Sequence, residues 1–126
     1  MNPVLNNRLC DTKPTDEGVF ISPKWGYVQK TFYISAPISG RVDACGYKPG
    51  LGFFVDILSK SKKIKYCLSN FYKVFVNPNQ YVGKKQTIGI MGSSGKRLGK
   101  GLVYCVYELQ NDKWKSVDIN KYLRSK

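Results

Sequence analysis

The stretch VFVNPNQYVGKKQTIGIMGSSG, residues 74–95, contains two short strand signals and ends in a block of glycines. β-branched and aromatic residues fill 74–76 and 86–92, as is typical of strands, and Asn, Pro and Gly separate the two. The glycines allow turns and close backbone approach: Gly89, Gly92 and Gly95. The block lacks the Lys-Ser/Thr ending and the following helix of a P-loop, so it does not predict a phosphate site.

Strand signals of the same kind continue on both sides of this stretch. They lie at 19–22, 27–35, 40–47, 53–58, 63–69, 73–76, 86–92, 102–109 and 113–119. Many short strands separated by turn residues predict an all-β, antiparallel sandwich or barrel. Only SNFYK and INKYLRSK could form a helical turn. The polar residues 1–19 are interpreted as an extended N-terminal arm, and residues 20–126 as one domain.

The chain has 126 residues, of which 42% are hydrophobic, enough for one folded core. Its net charge is +13, and most of the excess lies in residues 51–126. Such a field attracts polyanions, although lysines also simply keep an aromatic-rich protein in solution.

The first residues, MNPVLNNRLCDTKPTDEG, contain no apolar core typical of a signal peptide. No run reaches the ~18 apolar residues of a spanning helix. We therefore expect cytoplasmic synthesis, with a final place in the cytoplasm, in a virion or in an envelope-associated assembly.

Four cysteines are present, at widely separated positions: Cys10, Cys45, Cys67 and Cys105. No C-x-x-C pair exists, which argues against a structural zinc site. Buried free thiols are the favoured interpretation, and one or two disulfides stay open for an oxidising location.

The segment GLVYCVYELQ, residues 101–110, is a strand signal with a single acid near its end. Alternation places Tyr104, Val106 and Glu108 on one face, and Cys105 on the other. A carboxylate on a strand is usually solvated or paired with a lysine, so Glu108 alone indicates no chemistry.

The order of segments resembles the LytM/M23, lysostaphin-type peptidase domain over about residues 34–123. APISGRV resembles its opening A-x-x-G-x-V strand, and GYKPGLGFFVDIL its Gly-rich hairpin. KYCLSNF is similar to Y-A-H-L-S, and residues 74–95 are similar to V-x-x-G-x-x-V-x-x-G-Q-x-I-G-x-x-G-x-T-G. VYCVYELQNDKWKSVDINKYL resembles H-L-H-F-E-x-x-x-N-G-x-x-V-D-P-x-x-Y-L. The resemblance implies an M23-like sandwich.

Active relatives bind zinc through H-x-x-x-D and H-x-H motifs and use further histidines in catalysis, but this chain contains no histidine. ISPKW stands near the expected H-x-x-x-D. The resemblance makes four residues degenerate former-site positions: Cys67, Tyr104, Val106 and Glu108. Asp56 and Tyr66 would line or flank the same site.

A single thiol without a histidine partner is a poor zinc ligand set and a weak nucleophile. We therefore predict no enzyme activity, no metal and no cofactor. The resemblance implies a pseudoenzyme that binds protein partners, as degenerate relatives do in cell-wall and envelope machinery.

Two alternatives stay open. One is a structural component of a phage tail, baseplate or other virion assembly. The other is a basic module that binds nucleic acid or a cell-wall polymer by charge and by base stacking. Its candidate contacts, or groove contacts, are Lys60, Lys62, Lys63, Lys65, Tyr66, Lys96, Arg97 and Lys100.

Overall fold

The computed structural model describes residues 2–96 and 99–123, and within them nearly every regular element is a β-strand. The strands are β1 Cys10–Pro14, β2 Gly18–Pro23, β3 Tyr33–Ser35, β4 Gly40–Lys48, β5 Gly52–Ser59, β6 Ile64–Val74, β7 Tyr81–Val82, β8 Thr87–Met91, β9 Leu102–Gln110 and β10 Lys113–Ser116. A 3₁₀ turn covers Asn7–Leu9, and α1 covers Asn120–Leu123. The predicted all-β class is confirmed.

All pairings among the described strands are antiparallel, in the order β1-β2-β9-β6-β5-β4-β7, with β10 beside β9. The long strand β6 joins two parts of the sheet: the large layer, which is the order just given with β10, and the small layer, which is β8 and β3. Its first half pairs with β5 and β9, whereas Phe71–Val74 pair with β8, which in turn pairs with β3. The helical turn considered at SNFYK was therefore wrong, and the one at the C-terminus is present as α1.

The hydrophobic core lies between the two layers. Ile34 and Ile88 contribute from the small layer, and Leu68, Tyr104 and Val106 from the large one, each with 0% of its surface exposed. Alternation along β9 therefore turns Tyr104 and Val106 inward, and leaves Val103, Cys105 and Tyr107 partly exposed on the outer face.

The N-terminal residues are part of this fold. Val4 is 1% exposed and bridges to Ile34, and Pro3 accepts a hydrogen bond from the backbone of Ser35 at 2.7 Å. β1 is extended, as the arm interpretation required, but it pairs with β2 along its whole length. Where the sequence predicted an extended arm over residues 1–19, the described residues 2–19 contain a 3₁₀ turn, the strand β1 and an anchor on the core.

The glycine block is fixed by Asn70, a buried residue of β6. Its Nδ2 donates to the carbonyls of Gly92 and Gly101 at 3.2 and 2.9 Å, and its Oδ1 accepts from the Gly95 N–H at 2.7 Å. A Cβ on Gly92 would lie 2.3 Å from the Tyr72 nitrogen, so only glycine fits there. The close backbone approach expected for this block is confirmed.

Candidate functional site

A groove runs across the outer face of the large layer, above β5, β6 and β9. Its volume is about 400 Å³, and its polar lining includes Asp16, Glu17, Asp56, Cys67, Cys105 and Tyr107. Apolar side chains line the rest, among them Leu51, Phe54 and Val103. We call this surface the thiol groove.

The centre of the thiol groove is a row of three residues on three adjacent strands. Asp56 of β5 lies opposite Cys67 of β6, which lies opposite Cys105 of β9. Directly paired residues share one face of a sheet, so the carboxylate and both thiols point into the groove. The pairing register of β5, β6 and β9 alone brings these three residues together.

Burial sets the protonation of this row. Burial first, and then the neighbouring Asp56 carboxylate, raise the pKa of Cys67 above its ordinary value. Burial also raises the pKa of Asp56, although a hydrogen bond from the Cys67 thiol partly offsets the effect. Cys67 is therefore a thiol that donates to a carboxylate, and not a thiolate ready to attack.

The β1–β2 turn forms one wall of the groove. Glu17 accepts a hydrogen bond from the hydroxyl of Tyr107. Burial and this bond raise the pKa of Tyr107, so its hydroxyl stays protonated. Neither residue was predicted from the sequence, because Glu17 and Tyr107 are 90 residues apart in the chain.

The prediction of which face of β9 lines the site was wrong. We placed Tyr104 and Val106 at the former site and turned Cys105 away from it, whereas the structure buries the first two in the core. A slip of one residue exchanges the two faces of a strand. Since Cys67 does line the groove, the β9 residues that share its face are Val103, Cys105 and Tyr107.

Glu108 has a structural contact instead of a place in the groove. It shares the face of Tyr104 and Val106, and accepts a hydrogen bond from the Tyr122 hydroxyl in α1. Lys121 lies 3.6 Å from the same oxygen. The bond from Tyr122 is the main reason that the pKa of Glu108 is lowered. This carboxylate therefore ties α1 to β9.

The groove is acidic in a strongly basic chain. A second depression of about 340 Å³ adjoins it at Thr15–Glu17 and adds Asp118 to the lining. Together the two depressions contain four of the chain's eight acidic residues: Asp16, Glu17, Asp56 and Asp118. Among the described residues that line them, none is Lys or Arg. Cations lie close by, since the Lys48 ammonium is 4.6 Å from the Phe54 ring centre, and the charges of Lys48 and Lys65 partly offset the raised pKa of Asp56.

The predicted cationic contacts do not form one surface, although Lys96 lines a smaller depression that adjoins the thiol groove. Lys60 and Lys62 line a small depression of about 270 Å³ with Arg41 and Tyr81, and Lys63 is exposed beside them. Lys65 stacks on the Trp114 ring at 4.6 Å and lies 3.9 Å from Asp43.

The remaining candidates have other roles or positions. Tyr66 is 5% exposed and packs edge-on against Tyr122, so it is unavailable for stacking on a base. Lys100 donates to the carbonyls of Val28 and Lys30 at 2.9 and 2.5 Å. Lys96 is exposed, and Arg97 lies outside the described residues.

The groove does not fit the zinc site that the resemblance implies. Its central row offers the Asp56 carboxylate, hydrogen-bonded to one thiol, and a second thiol, and its wall adds Asp16 and Glu17, but no imidazole is present. Among residues 2–96 and 99–123, no three His, Cys, Asp or Glu side chains are grouped to hold a metal. The arrangement offers hydrogen-bond acceptors, thiols and apolar surface to a ligand.

Comparison with known proteins agrees with the fold. The model of peptidase family M23 matches residues 17–119. The chain belongs to peptidase family M23. No curated protein matches it significantly. No helix in the described part of this M23 chain is long and apolar enough to cross a membrane.

Several solved M23 structures resemble the chain. The catalytic domain of lysostaphin from Staphylococcus simulans is 18% identical, with a TM-score of 0.77 over 94% of this chain and 96% of that one. A chain of the SpoIIQ–SpoIIIAH pore-forming complex is 16% identical, with a TM-score of 0.73 over 98% and 95%.

A third similar structure is a candidate glycyl-glycine endopeptidase, lytM, from Ruminococcus gnavus. It is 17% identical, with a TM-score of 0.75 over 86% of this chain. The chain spans only 45% of that protein's length. At these identities the three likenesses establish a shared fold.

Proposed function

We propose that this chain is a catalytically inactive M23 domain that binds a protein partner through the thiol groove, as part of a larger assembly. The observation that carries the proposal is the groove's lining of carboxylates, thiols and a tyrosine in a chain without histidine. Zinc-assisted hydrolysis of the M23 type uses histidine nitrogen ligands and a group that titrates near neutrality, and this lining supplies neither.

The lining also indicates the chemistry of the ligand. Asp56 lies on the floor beside apolar side chains, and Asp16 and Glu17 form the wall. An extended peptide with small or apolar residues around a Lys or Arg side chain would pair its charge with these acids. The groove therefore favours a basic protein segment over an acidic one.

The comparisons support an assembly role at the level of fold. A similar chain occurs in the SpoIIQ–SpoIIIAH pore-forming complex. The fold thus occurs in an assembly of more than one protein. A role in a phage tail or another virion stays a prediction from the sequence.

A second candidate function is polyanion binding at the β5–β6 turn. Lys60 and Lys62 surround a depression with Arg41, and Tyr81 is 75% exposed beside it. This set has cations and one aromatic ring available for stacking, which is the composition that single-stranded nucleic acids bind.

One experiment separates the two candidates. Fluorescence anisotropy would follow a labelled Gly/Lys peptide and a labelled thymidine oligonucleotide on the wild type and two double variants. Glu17→Gln with Asp56→Asn should weaken the peptide about tenfold, or ~1.4 kcal/mol, and leave the oligonucleotide unchanged. Lys60→Gln with Lys62→Gln should do the reverse and reduce the salt dependence. A peptide that binds both double variants as it binds the wild type would refute the groove assignment.

A further inference from the structure

Two of the four cysteines are directly opposed across neighbouring strands. Cys67 of β6 and Cys105 of β9 are register partners. By contrast, Cys10 lies opposite Pro23, and Cys45 lies opposite Val55. The fold therefore selects one cysteine pair out of the pairings that the sequence left open.

The backbone pattern fixes the geometry of that pair. Farther along the same ladder, Lys63 lies opposite Leu109, and the N–H of Leu109 donates to the carbonyl of Lys63 at 2.8 Å. Lys63 and Leu109 are therefore a hydrogen-bonded pair. Hydrogen-bonded and non-hydrogen-bonded pairs alternate along an antiparallel ladder, so Cys67 and Cys105 form a hydrogen-bonded pair too. The Cα atoms of such a pair are about 5.5 Å apart, within the 4.4–6.8 Å range of disulfides, and closure brings the Cβ atoms together by about 1 Å.

Both cysteines face the thiol groove. Cys67 and Cys105 line it and are each half-buried. On the other neighbouring strand, a Cβ at Gly18 would lie 2.8 Å from the Cys105 sulfur, so this sulfur lies over Gly18 and rotates about its Cα–Cβ bond to meet Cys67. A small disulfide can therefore reach the pair without unfolding of the sheet.

We propose that Cys67 and Cys105 are a modification site, a dithiol that closes to a cross-strand disulfide when the protein meets a small-molecule disulfide oxidant. One thiol attacks the oxidant R–S–S–R and releases R–SH. The second thiol attacks the mixed disulfide and releases another R–SH. Both electrons and both thiol protons leave with the two R–SH molecules. The S–S bond of the oxidant is broken, and one S–S bond forms in the protein. The raised pKa of Cys67 slows the reaction, because the thiolate is the attacking form.

Closure changes the groove floor. The Cys67 thiol that donates to Asp56 is consumed, so the carboxylate loses that hydrogen bond. Closure requires only the strand register and access to the groove, whether or not the groove binds a peptide.

Tryptic mapping tests the proposal cleanly, because each cysteine falls in a different peptide. Cys67 lies in residues 66–73, YCLSNFYK, and Cys105 in residues 101–113, GLVYCVYELQNDK. The full chain would be reduced, desalted, incubated natively with oxidised glutathione, alkylated and digested. We expect the cross-link between these two peptides in most molecules, with an intact-mass loss of two hydrogen atoms.

The controls use the other two cysteines. Cys10→Ser and Cys45→Ser should leave the cross-link unchanged, and Cys67→Ser or Cys105→Ser should abolish it. Since the serine variants could fold poorly, the wild type would also be oxidised in denaturant, where we expect scrambled pairs. Stable glutathione adducts without the cross-link, scrambled pairs in the native protein, or no native oxidation would each overturn the proposal.

Discussion

At the scale of single residues, the acid near the end of β9 is explained by its contacts. Glu108 accepts from Tyr122 and lies near Lys121, both in the last turn of the described chain. From the sequence, Glu108 was predicted to be a former-site position on the same face as Tyr104 and Val106. The structure places the groove on the opposite face of the same strand.

Glu108→Gln should lower stability at neutral pH by at most about 1 kcal/mol, because the contact is near the surface. The folded-state pKa of Glu108 is depressed below 4.5, so its contribution is present above that pH and is lost as the pH falls through the folded pKa. Urea unfolding at pH 7 and at acidic pH would measure the difference, which we expect to vanish in acid.

Tyr122→Phe is the matched control for Glu108, since it removes the donor of the same hydrogen bond. The two variants should be non-additive when combined. A Glu108→Gln effect that is equal at both pH values, or additive with Tyr122→Phe, would show that the hydrogen bond is not its source.

At the scale of elements, β6 and its Asn70 organise the loop that follows β8. Asn70 has a positive φ of 79° and is 1% exposed, and its side chain bonds three backbone groups of residues 92–101. The sequence pointed to the glycines of this loop but not to the asparagine that holds them, because its partners are 22 to 31 residues away.

Asn70→Ala should destabilise the fold by about 3 kcal/mol, because it orphans buried carbonyls and forces Ala into a left-handed conformation. Asn70→Gly keeps that conformation accessible and loses only the hydrogen bonds, so it should cost about 1 kcal/mol less than Ala. Chemical denaturation of the three proteins would compare them. An Ala variant within 1 kcal/mol of the wild type would contradict this role.

Elements with apolar content were predictable, and polar or very short ones were not. The strands at β4, β5, β8 and β9 were predicted within two residues of their bounds. β1 was missed because nearly all of its side chains are exposed and show no alternation, and β7 because it has two residues. Residues 27–32 were predicted as strand but contain a turn and no strand. Cross-strand pairing determines β1 and β7, whereas the local bond from the Lys30 N–H to the Tyr27 carbonyl shapes this turn.

At the scale of the whole molecule, the family was recoverable from the order of motifs, and the site was recoverable only in part. Cys67 and Asp56 do lie in the groove. Tyr104 and Val106 do not, because alternation groups residues by face without saying which face is covered. The acidic lining of a +13 chain was also invisible, since Glu17 and Asp56 are brought together by the fold.

The central claim is that this M23 fold binds a partner and has lost zinc chemistry, and zinc content tests it most directly. The purified chain would be incubated with excess zinc, desalted and analysed by plasma mass spectrometry, with peptidoglycan and pentaglycine digestion measured in parallel. We predict far less than one zinc per chain and no cleavage. One retained zinc per chain, together with cleavage that a chelator abolishes, would contradict the account.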